Sequence, residues 1–244
     1  MPNQITGQEV FQHLGLVRDS PIAGTPSEFA HSVVIPFATY SPWVEDSAFM
    51  DAWHKIKHAT LVDVYRCYEL WRLTEQATGD GAILEVGVWR GGTGSLIGMA
   101  KNAFNIAGEL YLADTFSGVV KASHYDTNYR GGEHGDVNVA DVEELLSECK
   151  VSARIIRGIF PDENRGAIKD RLKLIHIDVD TYQSAKDVFD WGWPLLTPGG
   201  VVVFDDFGFS TCDGVTRYIE TLYGRRDTLI VHNLNGHALA IKIA

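Results

Sequence analysis

No apolar run in the 244-residue chain approaches a membrane span, for which about 20 consecutive apolar residues are needed. A basic block is missing too. The net charge is −11, and with nothing to offset it a nucleic acid or an anionic membrane is a poor partner. Cysteine is scarce: Cys67, Cys149 and Cys212 are odd in number and widely spaced. That excludes a disulfide framework, and reduced thiols fit a cytoplasmic protein. The opening Met-Pro-Asn-Gln-Ile has neither a basic stretch nor an apolar core, so no signal peptide is expected. Internal repeats and low-complexity segments are absent as well. Against these absences stands an ordinary globular composition, 45% hydrophobic and 22% charged, which supports a full core. The length suits one large α/β domain better than two.

The chemistry concentrates between Leu174 and Asp206. Leu174-Ile-His-Ile177 is a short apolar run ending in Asp178-Val-Asp180, and Val201-Val-Val-Phe204 is a second one ending in Asp205-Asp206. Ser184 to Leu196 between them has helical texture, with Ala185, Val188, Phe189 and Trp193 on one side, and Pro198-Gly199-Gly200 makes a turn. Strand, helix, strand is the parallel crossover unit, so both strands finish at one edge of the sheet. Open α/β sheets bind ligands at that edge. An Asp after a strand is commonly a cap or a turn residue, which accounts for one acid per strand end but poorly for two pairs. Four carboxylates held together would repel one another, and a shared cation relieves that. Asp180 lies two residues past Asp178, so on an extended segment it shares that residue's direction.

The flanking segments read as support. Residues up to about Trp43 are turn-rich, with Pro21, Gly24, Pro26, Pro36 and Pro42, and fit an irregular arm. Asp46 to Thr74 has Phe49, Trp53, Ile56, Leu61, Val64, Tyr65, Tyr68 and Trp71 at helical spacing, which predicts one or two helices. Their aromatic stripe is core or a subunit contact, and a homo-oligomer is expected. The division is thus an N-terminal arm with helices over 1–78 and a catalytic part over 79–244.

Ala82 to Gly87 is a strand, and Val88-Trp-Arg-Gly-Gly-Thr-Gly94 leads into a helix through about Phe104. Glycine lets backbone approach a ligand, so this is a small-cofactor cradle. In the dinucleotide fingerprint, Gly87 and Gly92 fill the outer positions but Trp89 takes the middle one, where a pyrophosphate needs glycine. NAD and FAD are disfavoured, which leaves a nucleoside-type cofactor without a pyrophosphate. Leu110 to Asp114 is the second strand, and its terminal acid stands where a ribose-binding carboxylate belongs, although a turn or cap role is the plainer alternative.

Thr115 to Asn138 is polar, glycine-rich and aperiodic, the pattern of a lid or binding loop. It carries His124, Tyr125, Tyr129, His134 and Asp136, none singled out as a ligand. Val139 to Cys149 is helical, Arg154 to Arg157 a short strand, Asp162 to Lys169 a short helix and Cys212 to Tyr223 a further helix. Thr228 to His232 and His237 to Ile243 flank Asn233-Leu-Asn-Gly236, a hairpin signal.

Four motifs in order, Glu85-Val-Gly-Val-Trp-Arg-Gly-Gly92, Ala113-Asp-Thr-Phe-Ser-Gly118, Ile177-Asp-Val-Asp-Thr-Tyr182 and Gly199-Gly-Val-Val-Val-Phe-Asp-Asp206, resemble the macrocin O-methyltransferase (TylF-like) family. The resemblance implies a class I methyltransferase fold: a mostly parallel α/β Rossmann sheet closed by a C-terminal antiparallel hairpin, with the N-terminal helices as an arm. It implies an S-adenosylmethionine- and Mg²⁺-dependent O-methyltransferase acting on a sugar hydroxyl of a glycosylated natural product. Carried over by position, Glu85, Gly87, Trp89, Gly91, Gly92, Asp114 and Thr115 would contact the cofactor. Asp178, Asp205 and Asp206 would hold the metal, and Asp180, with Asp178 beside it, would do the catalytic work as general base. The family usually has glycine where Val179 stands here, which bears on the aim of Asp180. A catechol or phenol is the alternative acceptor. A haloacid-dehalogenase-type phosphohydrolase fits worse, since Thr181 follows Asp180 without a spacer and the glycine loop would have no role. A catalytically silent binding protein would not need four acids.

Overall fold

The computed structural model describes residues 41–243, and the arm expected over the first forty residues lies outside them. By its contacts the chain divides between Val44 and Glu45, and the fold below belongs to the larger unit. Two helices open it, α1 (Ser47–Ile56) and α2 (Val64–Gln76), capped by Asp46 and Asp63, whose carboxylates accept first-turn N–H groups. Part of the aromatic stripe is core, while Leu61 and Tyr65 are exposed. Phe49 and Trp71 are buried, and their rings meet at 5.9 Å, with Trp71 edge-on to Phe104 at 5.5 Å.

Seven strands follow: β1 (Ala82–Val86), β2 (Leu110–Asp114), β3 (Arg154–Arg157), β4 (Leu172–Ile177), β5 (Leu196–Phe204), β6 (Thr228–His232) and β7 (Ala238–Lys242). Helix α3 (Gly92–Ala103) joins β1 to β2, α4 (Val139–Glu148) precedes β3, α5 (Tyr182–Gly192) joins β4 to β5, and α6 (Asp213–Glu220) precedes the hairpin. The sheet order is β3-β2-β1-β4-β5-β7-β6. The first five strands run parallel, and β7 lies antiparallel between β5 and β6. The sheet is therefore mostly parallel with an antiparallel C-terminal hairpin, as the sequence predicts.

Strands β1 and β4 are buried along their whole length, and alternate residues serve the two faces. Leu84, Ile175 and Phe204 join one core with Phe189 of α5, while Ile83, Leu174 and Val203 join the other with Ile97 of α3 and Leu70 of α2. Because the chain leaves β1 toward β2 and returns to lay β4 on its other side, a crevice opens beyond the C-terminal ends of β1 and β4.

Two expected elements differ. Asp162 to Lys169 holds only a 3-10 turn at Arg165–Ala167. There the Asn164 amide donates to the Arg157 carbonyl and Glu163 accepts from the Ile159 N–H, so these side chains tie the turn back to the end of β3. Helix α5 stops at Gly192 rather than Leu196, and Pro198-Gly199-Gly200 bulges within β5, between the pairs Leu172↔Leu196 and Leu174↔Val201. Pairing with β4 resumes before the turn residues and takes over the end of the helix.

Candidate active site

The crevice is lined by Gly87, Trp89, Asp114, Thr115 and all four strand-end acids, Asp178, Asp180, Asp205 and Asp206. The acids converge because β4 and β5 are hydrogen-bonded neighbours in register to their last residues, Ile177 opposite Phe204. The Asp178 N–H then donates to Val86 at 2.9 Å and the Asp205 N–H to Ile177 at 2.9 Å. Carboxylate oxygens of Asp178, Asp205 and Asp206 all lie within 4.8 Å of one another.

Asp180 reaches the same crevice by a different route from the extended segment expected. The strand ends at Ile177, the Thr181 N–H turns back to the Val179 carbonyl at 2.7 Å, and Asp180 sits left-handed at φ 61. Asp206 is left-handed too, at φ 64. Val179 is not among the positive-φ residues, so the family's glycine is not needed there. The strained angle falls on an Asp, one of the few side chains that tolerate it.

Charge explains the buried partners. Arg66 of α2 donates to Asp205 at 2.5 Å and approaches Asp206 at 3.4 Å, while its Nε donates to Asp63 at 2.9 Å. His237 at the start of the hairpin's second strand faces Asp205 through Nε2 at 3.2 Å. Burial pushes the Asp205 carboxyl up, but the neighbouring His237 imidazole and Arg66 guanidinium outweigh it and hold Asp205 low. Asp206 is pushed up to about 8, by burial first and then by Asp205 and Asp180. Asp178 is raised well above the usual range by burial and by the same three neighbouring acids. Burial also raises Asp180, against a hydrogen bond from Tyr129. One guanidinium and one imidazole therefore leave four carboxylates short of positive charge. An all-oxygen set of three carboxylates suits a hard divalent cation.

The cofactor residues divide into two groups. Gly87, at φ 92, brings the end of β1 against β4, and a Cβ there would stand 1.6 Å from the Asp178 carbonyl oxygen. Trp89 has a left-handed backbone at φ 46. Asp114 holds it there, accepting from the N–H groups of Val88 at 2.6 Å, Trp89 at 2.9 Å and Phe116 at 2.7 Å. A carboxylate has about four lone-pair directions, so one is left for a ligand. Glu85, Gly91 and Gly92 are not on the crevice wall. Glu85 is fully buried and meets His176 Nδ1 at 2.9 Å. Gly91 is the left-handed cap of α3 at φ 84. The Gly92 N–H donates to the Ala59 carbonyl at 3.0 Å, and a Cβ there would lie 2.6 Å from that oxygen. These three shape the loop from behind.

From the 115–138 loop, Tyr129 and His134 line the crevice. Asp136 pairs with Arg90 at 2.6 Å. His124 and Tyr125 stack outward, Tyr125 on Tyr182 at 4.2 Å. Leu61, Phe209 and Cys212 also line the wall. Arg66 and His237 were not singled out by the sequence. For Arg66 a signal existed: it sits at i, i+4 spacing with Leu70 and Thr74 on the buried side of an amphipathic helix, and a charge there needs a partner.

The family described as Macrocin-O-methyltransferase (TylF) matches residues 53–228. A tetracenomycin 4'-O-methyltransferase of Streptomyces olivaceus, which acts on the 2,3-dimethoxy-α-L-rhamnosyl form, is 29% identical over 72% of this chain and 73% of its own. The mycinamicin III 3''-O-methyltransferase of Micromonospora griseorubida is 26% identical over 70% and 74%. Among solved structures, the O-methyltransferase NovP superposes with a TM-score of 0.66 at 18% identity over 76% of this chain and 83% of that one. A calicheamicin methyltransferase superposes at 0.61 and 18% identity over 98% and 94%. With its fold, its strand-end acids and a match over most of its length, the chain belongs to the macrocin O-methyltransferase family and is an S-adenosylmethionine-dependent O-methyltransferase.

Proposed function

We propose that this enzyme methylates a hydroxyl of the sugar in a glycosylated small molecule, using Mg²⁺ on Asp178, Asp205 and Asp206 and Asp180 as general base. The observation that carries this reading is one crevice holding both the Gly87–Trp89 loop with Asp114 and the four strand-end acids. The relatives' own substrates, a rhamnosylated tetracenomycin and a mycinamicin, support a sugar acceptor.

Asp114 and the loop backbone would orient the nucleoside, with Thr115 beside them. Bound Mg²⁺ would supply Lewis acidity, easing loss of a proton from an adjacent hydroxyl. Asp180 accepts that proton. Its burial makes it a better base than an exposed aspartate, since the charged form is less stabilised, and Cys212 Sγ lies 3.9 Å from its Oδ1. Methyl transfer to the oxygen is then a single displacement. Holding the two reactants in line contributes about 7–11 kcal/mol when the geometry is right, and no covalent enzyme intermediate is needed. Leu61 and Phe209, partly exposed on the crevice wall, offer an apolar surface to the aglycone.

The test is mass spectrometry of a glycoside panel, with a catechol arm, incubated with S-adenosylmethionine with and without Mg²⁺. A 14 Da gain, about one methylene in mass, on a sugar fragment only when Mg²⁺ is present is the expected result. Methylation of the catechol alone, or of glycosides after exhaustive chelation, would overturn the acceptor or the metal assignment respectively.

A further inference from the structure

Residues 233–237 lie beyond the segment that the family matches, 53–228, yet they reach the acid cluster. His237 is fully buried and lies between two carboxylates: Nδ1 meets Glu69 at 2.6 Å, and Nε2 is 3.2 Å from Asp205. The second approach is an ion pair whose N–H axis is not well aimed at the oxygen, so it acts mainly through charge. Glu69 is tied to the hairpin turn as well. It accepts from the Asn233 amide and, at 3.1 Å, from the Asn235 amide. Asn235 Oδ1 in turn accepts from the His237 N–H at 2.9 Å. Three residues before Glu69 on the same helix, Arg66 binds Asp205 directly. One helix and one hairpin turn thus meet on the same oxygen, Oδ1, of a single carboxylate.

We infer that His237 and Glu69 are positioning residues for Asp205. Together they fix its side chain so that one oxygen is occupied by Arg66 and His237 while the other stays free to face the cation. This rests on the metal reading above. Groups that hydrogen-bond a ligating carboxylate or orient a neighbouring imidazole commonly change metal affinity by about 10–100-fold when removed. The arrangement also gives the C-terminal hairpin a role other than closing the sheet edge. His176 lies nearby, its ring 6.0 Å from that of His237, but it is held by Glu85 on the other side.

The experiment is Mn²⁺ titration followed by electron paramagnetic resonance on the full chain, with S-adenosylhomocysteine affinity by calorimetry and the thermal midpoint alongside. Variants are His237→Gln, Glu69→Gln and the pair. Glu69→Gln removes a charge from a partly exposed side chain without changing its shape, so it should fold even if His237→Gln does not. The expected result is Mn²⁺ binding weakened about 10–100-fold in either single variant, little further loss in the double because the two act as one unit, and cofactor affinity within about twofold of the parent. Four outcomes would overturn the inference. Parent-like Mn²⁺ affinity in both variants would do so. So would Mn²⁺ and cofactor affinity falling together with the thermal midpoint, which marks a merely structural role. Two Mn²⁺ per parent chain with one lost in His237→Gln would make His237 a ligand instead. A parent chain that binds no Mn²⁺ would remove the metal reading itself, and this inference with it.

Discussion

Asp180→Asn is the substitution that separates chemistry from architecture at this site. Residue 180 sits at φ 61, where most side chains cost about 1–2 kcal/mol and Asn is among the few tolerated. Asn therefore preserves both shape and backbone, whereas Ala would add strain to the loss of function. Asp180 Oδ1 accepts from Cys212 Sγ at 3.9 Å, and an amide oxygen can accept there as well, so the side chain should keep its place. What disappears is the basic oxygen. Removing a general base lowers rates about 10²–10⁴-fold, equivalent to about 2.7–5.5 kcal/mol at about 1.36 kcal/mol per decade. Steady-state methyl transfer should show that loss in kcat, with KM and Mn²⁺ affinity nearly unchanged because the proposed ligands are the other three acids. A variant that loses the metal and regains activity at high Mg²⁺ would make Asp180 a ligand. A variant with near-parent kcat would mean that the proton leaves to water. Either result would refute the assignment.

Other consequences follow from the same geometry. Gly87→Ala must move either β1 or the Asp178 carbonyl, since the new methyl would stand 1.6 Å from that oxygen at φ 92. A loss of about 2–5 kcal/mol, from overpacking of about 1–3 kcal/mol added to left-handed strain of about 1–2 kcal/mol, should appear as a lowered denaturant midpoint, with Mn²⁺ binding weakened too. Asp114→Ala releases three backbone N–H groups as well as any ribose contact, so S-adenosylhomocysteine should bind about 1–3 kcal/mol more weakly by calorimetry, and unchanged affinity would show that another group holds the ribose. EDTA should abolish methyl transfer and Mg²⁺ restore it while cofactor binding largely survives, checked by assay and calorimetry on one sample. Phe209→Ala should raise KM for a glycoside without changing cofactor affinity, because Phe209 packs against the Arg66 guanidinium at 5.0 Å on the crevice wall.

Much of this protein was legible residue by residue. Short apolar runs placed β2 and β3 to the residue, and Asn235-Gly236 marked the hairpin. Two Asp pairs after apolar runs located the acids, because a crossover unit forces both strand ends to one edge. Those are local signals: each depends on period, on a turn residue, or on a strand end. Three features were not local. The aim of Asp180 came from a left-handed turn rather than from strand alternation. Glu85, Gly91 and Gly92 proved to sit behind the loop, which only packing against His176 and Ala59 could show. Arg66 and His237 meet Asp205 from the two ends of the described chain, 139 residues apart in the first case. Periodicity tells a side chain to face inward but not which group stands opposite. Compensation of a buried charge depends on that opposite group, so the sequence by itself determined where the acids lie, and only the folded sheet, with α2 and the hairpin closed over it, decided what surrounds them.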